Sequence, residues 1–84
     1  MNRANLIKIT NQTDSAVILW PKDEESREDF AILIKAKSFV ILDYIPMGMY
    51  LDLDEFYFQF EHGKRKILVE EASEFGIELE CKTI

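Results

Sequence analysis

Phenylalanine recurs at every second position in Phe56-Tyr57-Phe58-Gln59-Phe60. Successive side chains of an extended chain point to opposite faces. The spacing predicts a strand with Phe56, Phe58 and Phe60 on one face. Full burial of each ring contributes roughly 1.5–3 kcal/mol. A lone strand cannot hide that much apolar surface, so the rest of the chain is expected to cover it. Tyr57 must then face the other way, toward solvent, a partner or a cross-strand neighbour.

The same period appears elsewhere. In Leu6-Ile7-Lys8-Ile9-Thr10, Ile7 and Ile9 are expected to face inward. Asn11-Gln12-Thr13-Asp14 reads as a turn, because Asn and Asp side chains bond nearby backbone. Ala16-Val17-Ile18-Leu19-Trp20 is continuously apolar and predicts a more buried strand, ended by Pro21. Together these two strands suggest an N-terminal hairpin. Residues 22–29 (KDEESRED) form a charged run without an apolar period and read as a solvated loop.

Two further strands are predicted at residues 30–35 and 39–45, joined by Ala36-Lys37-Ser38. Both are rich in β-branched and aromatic side chains. A helix through residues 30–42 would not place its apolar residues on one stripe. Pro46-Met47-Gly48-Met49 reads as a turn. Residues 50–54 alternate again, as a separate strand or as one long strand bent near Asp54-Glu55. Asp52 and Asp54 would then share a face. His62-Gly63-Lys64 is a turn in which Gly63 is expected to supply a positive φ.

Residues 66–75 support two readings. Lys66-Ile67-Leu68-Val69 can pair back onto the phenylalanine strand. Leu68, Ala72 and Phe75 also stand at helical spacing, with Gly76 as the residue just beyond a helix end. Residues 77–84 alternate once more, with Ile77, Leu79 and Cys81 inward and the charges outward. The pattern is all-β: a small antiparallel β-sandwich or barrel of six to eight short strands, with one short helix near residues 66–75 as the open alternative. Its 84 residues make a single domain.

Composition narrows the class. One cysteine, Cys81, cannot form an internal disulfide, which favours a reducing, cytoplasmic setting. No signal-peptide pattern precedes the first strand. The most apolar region, residues 30–51, is broken by Lys35, Lys37, Asp43 and Pro46, so it does not read as a membrane span. The net charge of −6 argues against a phosphate-tracking nucleic-acid binder.

Candidate chemistry is sparse. His62, the single histidine, falls at a turn tip without an orienting partner, so it reads as an exposed residue and not a general base. Cys81 reads as an inert buried thiol. The acids near Asp52 lack a calcium-loop pattern, and one Cys with one His cannot furnish a zinc site. The glycines are scattered singly and form no phosphate-cradling loop. We therefore expect no catalytic residue, no cofactor, no metal and no small-molecule substrate.

The remaining candidates lie on surfaces. Trp20, Tyr44, Tyr50 and Tyr57 are amphipathic aromatics of the kind enriched at contact hot spots. Met47 and Met49 flank Gly48 in a turn, where methionine is expected to be packed or touched by another chain. Asp23, Glu24, Glu25, Glu28 and Asp29 could form an acidic contact surface. Free sheet edges add a tendency to self-association or strand addition.

Ile9-Thr10-Asn11-Gln12-Thr13 within residues 6–21, followed by residues 30–46, resembles small β-rich accessory proteins of phage virions. Those open with a strand, an Asn/Thr turn and an apolar strand. Many close with a short helix, a glycine and a last strand, as residues 68–80 could. The charged run at 22–29 and the phenylalanine strand depart from that pattern. The resemblance implies a structural role in a symmetric assembly, in the host cytoplasm and then in the virion.

The sequence thus points to a non-enzymatic interaction or structural-assembly module whose partners are other protein chains, including itself. An acidic inhibitor that docks on the basic groove of a nucleic-acid enzyme is the alternative, motivated by residues 22–29 with Glu70, Glu71, Glu74, Glu78 and Glu80. A small enzyme or ligand-binding barrel would instead require a deep pocket.

Overall fold

The alternating segments assemble into ten short strands in the computed structural model, which describes residues 3–4, 6–23, 25, 30–42, 44–45 and 49–82. In chain order these are β1 (Arg3–Ala4), β2 (Leu6–Asn11), β3 (Val17–Pro21), β4 (Ile32–Ile34), β5 (Ser38–Leu42), β6 (Tyr44–Ile45), β7 (Met49–Asp52), β8 (Phe56–Phe60), β9 (Ile67–Leu68) and β10 (Ile77–Lys82). For residues 3–4, 44–45, 49–52 and 81–82 the description extends to the backbone alone. All strand pairs are antiparallel.

Two sheets make the body of a small β-sandwich. One runs β10-β2-β5 and the other β4-β3-β8-β9. Their inner faces supply the core. Ile7 and Ile9 of β2 and Ile77 of β10 pack with Val17 and Leu19 of β3, Ile34 of β4, Phe56 and Phe58 of β8, and Ile67 of β9. Phe60, Val40 and Leu42 close its margin as half-buried residues. The period-two expectation for the phenylalanine strand holds on this face. A third, smaller ribbon, β1-β7-β6, inserts β7 between the continuations of β2 and β5.

Residues 66–75 combine the two sequence readings. Ile67 and Leu68 pair with Phe58 and Tyr57, and the chain then turns into a 3-10 helix over Val69–Phe75. The Leu68 backbone N–H donates to Glu71 Oε1 at 3.1 Å, which satisfies one orphan donor at the helix start. Ala72 is buried in the core, and the helix touches both β9 and β10. It covers the flank of the sandwich where those two strands lie. The opposite flank, bounded by β4 and β5, has no such cover among the described residues.

Three expectations are corrected. β2 and β3 do not form a hairpin: β2 pairs with β10 and β5, and β3 with β4 and β8. The chain crosses between sheets at residues 12–16. The cause is Asn11, whose side chain is buried and spent on the crossing. Its Nδ2 donates to the carbonyls of Ser15 (2.8 Å), Ile34 (3.2 Å) and Lys35 (3.3 Å), while its Oδ1 accepts from Thr13 N–H (3.0 Å) and Oγ1 (2.7 Å). Gly63 is not at positive φ. It closes an ordinary turn by donating to the Phe60 carbonyl at 3.0 Å, and among the described residues the positive values fall at Gly76 (82°) and Lys37 (56°). Asp52 and Asp54 do not share a strand face, because β7 ends at Asp52 and Leu53–Glu55 is a 3-10 turn.

Gly76 ends the helix in the left-handed region that glycine enters without penalty. A Cβ there would stand 2.9 Å from Thr13 Cγ2. Gly76→Ala is therefore expected to cost about 1–2 kcal/mol, from backbone strain plus the clash. In a Thr13→Ser background, which removes that methyl, the cost should fall. A double-mutant cycle in urea checks this, and full additivity would mean that the clash is absent.

Candidate functional site

Sequence reasoning named eleven candidate contact residues, and the fold separates them. Trp20 and Tyr57 are directly opposed across β3 and β8, on the outer face of the four-stranded sheet. Tyr57 does not face solvent: it is 4% exposed. Trp20 flanks it on one side and Leu68 of β9 on the other, and Lys66 Nζ lies 5.0 Å from its ring centroid. The cross-strand reading of Tyr57 is the one realised. Such pairs contribute roughly 0.2–1 kcal/mol each.

Tyr44 of β6 and Tyr50 of β7 are also directly opposed in their backbone register, and Met49 is opposed to Ile45. Their side chains lie outside the described residues, as do Met47, Glu24, Glu28 and Asp29 entirely. Asp23 and Glu25 are exposed, and the Glu25 N–H donates to Asp23 Oδ1 at 3.1 Å. His62 is exposed at its turn.

On β10 the acidic candidates stand beside basic or uncharged neighbours. Glu78 and Glu80 are exposed there, but Glu80 is directly opposed to Lys8 and Glu78 to Thr10. A half-open cleft of about 250 Å³ lies elsewhere, with Leu53 and Phe56 at its floor and Lys22, Asp54 and Glu70 among its lining. It is smaller than typical ligand sites of roughly 300–1,000 Å³. Among the described residues no cluster of metal-ligating side chains occurs. No helix of the described residues is long and apolar enough to cross a membrane.

The site that sequence reasoning missed is the uncovered β4–β5 flank. Phe39 is 52% exposed, Ile41 57% and Leu33 48%. Phe39 and Ile41 project from the outer face of β5, opposite Thr10 and Lys8 of β2. Lys8 Nζ sits 4.6 Å from the centroid of the Phe39 ring. Leu33 projects from β4, which ends the other sheet. Turn Ala36-Lys37 joins the two strands, and its geometry is fixed from behind. Lys37 N–H donates to the Thr13 carbonyl at 3.1 Å, and Lys37 Nζ donates to the Gln12 carbonyl at 2.7 Å. The flank is thus a positioned surface with half-exposed apolar side chains. One signal for it was in the sequence: Ser38-Phe39-Val40-Ile41-Leu42 carries no charge on either face.

Comparison with known proteins finds no matching family model, no similar curated protein and no similar solved structure.

Proposed function

We propose that this chain is a non-enzymatic protein–protein interaction or structural-assembly module, and that the β4–β5 flank is its contact face. The observation that carries the reading is the exposure of Phe39 and Ile41 on the outer face of β5, and of Leu33 on the outer face of β4 in the other sheet, beside two strand edges that no described element covers. Exposed edges offer unpaired backbone groups, and proteins that must stay separate usually blunt them with charge or cover. Here β10 carries charge and the Val69–Phe75 helix covers its flank, whereas β5 has neither. The resemblance to phage virion proteins extends the proposal to a subunit that works in many copies.

Site-specific photo-crosslinking tests this. A benzoylphenylalanine at position 33, 39 or 41, in the cells that make the protein, is expected to give discrete protein adducts identified by mass spectrometry. The same probe at Glu78, exposed on β10, serves as the comparison. Yields at 33, 39 and 41 no higher than at 78 would remove this face from consideration.

A further inference from the structure

The four outer strands of the two main sheets are not equivalent. β10 presents Glu78 and Glu80 outward. β9 has two residues and runs straight into the helix. β4 has three residues. β5 has five, all uncharged, and among the described residues it is paired on one side alone, with β2. It is the outer strand with the length and composition to accept another strand.

We propose that its occupant is β5 of a second copy of this chain, paired antiparallel about Val40 through a two-fold axis. The inference rests on the proposed contact face and names what fills it. The strand is self-complementary in this register. Half-buried Ser38, Val40 and Leu42 meet Leu42, Val40 and Ser38 of the second copy on the inner face. Phe39 meets Ile41 and Ile41 meets Phe39 on the outer face, as an aromatic/β-branched pair made twice.

The observed pairings extend each row across six strands. One row would read Glu80, Lys8, Ile41, then Phe39, Thr10 and Glu78 of the second copy. The symmetric row is its reverse. The seam is apolar, each Lys8 stands next to it, and every carboxylate of the row lies at the outer margin. Two chains of net charge −6 therefore meet at a seam from which the acids of these rows stand two strands away.

Sedimentation velocity over a concentration series, joined to disulfide trapping, tests the inference. The wild-type chain is expected to shift from one to two chain masses as concentration rises. Phe39→Lys with Ile41→Lys changes two outward side chains and sets lysine against lysine at the seam. It should weaken the dimer by about tenfold or more. Circular dichroism confirms that this variant keeps its fold. For trapping, Phe39→Cys and Ile41→Cys chains are made separately in a Cys81→Ser background. Directly opposed residues have Cα atoms about 4.5–5.5 Å apart, within disulfide range. The mixed disulfide should therefore outrun either homodisulfide. A monomer at all concentrations overturns the inference, as does a dimer indifferent to the two lysines. If photo-crosslinks at 39 and 41 then hold a different protein, the contact-face reading stands and the self-pairing does not.

Discussion

Asn11→Ala is expected to lower stability by about 3–5 kcal/mol, from the buried backbone groups it would leave without partners. The side chain lies fully inside the sandwich. It joins three points of the chain: the end of β2, the 12–16 crossing and the end of β4. Truncation strands the carbonyls of Ile34 and Lys35 and the Thr13 N–H at once. A chain of this size has roughly 0.05–0.15 kcal/mol of stability per residue, so the loss takes a large part of the total. At about 4–8 °C per kcal/mol, the melting midpoint should fall by roughly 12–40 °C. Asn11→Asp is a sharper probe. It keeps the shape and the Thr13 contacts but turns an oxygen toward three carbonyl oxygens, so it should cost at least as much. Gln12→Ala, at the exposed neighbour, should stay within about 0.5 kcal/mol. Urea titrations followed by circular dichroism measure all three. A loss below about 1 kcal/mol for Asn11→Ala would show that water replaces these bonds readily.

Phe58→Ala should cost about 3–5 kcal/mol, the range for a fully buried aromatic whose cavity does not collapse. Phe58 is fully buried, with Leu19 opposed to it on β3 and Ile67 on β9. Strands hold it on both sides, so the backbone cannot easily move in to fill the void. Phe60→Ala should cost less, since that ring is half-buried at the end of the strand. Phe39→Ala should change stability little, because the Phe39 ring is already half in water. The ordering Phe58, Phe60, Phe39 in denaturant midpoints is the check. Equal effects at Phe58 and Phe39 would contradict the assignment of core and surface.

The sequence made the faces of the strands legible, and much less of their partners. Ile7, Ile9, Phe56 and Phe58 lie inward as their spacing predicts. Alternation says which side of a strand is wet, but it does not say which strand lies next to it. That is why β2 and β3 read as a hairpin. A buried asparagine that redirects the chain resembles an ordinary turn asparagine when only its neighbours are known. Tyr57 shows a second limit. Its face was predictable, but its burial depends on Trp20, Leu68 and Lys66, which reach it from other segments. The proposed contact face was hidden for a related reason. In the apolar run of β5, every residue looks equally fit for the core. The register against Thr10 and Lys8 is what turns Phe39 and Ile41 outward.

The crossing at residues 12–16 also sets a timetable for synthesis. β2 is the middle strand of its sheet, and its longest pairing is with β10, six residue pairs from Ile77↔Asn11 to Lys82↔Leu6. During translation β2 leaves the ribosome first and β10 follows much later, several seconds at roughly 5–20 residues per second. Until then one side of β2 has no native neighbour, and the sandwich lacks a wall. The sheet closes around β2 only when β10 is available, and contacts this distant along the chain close slowly.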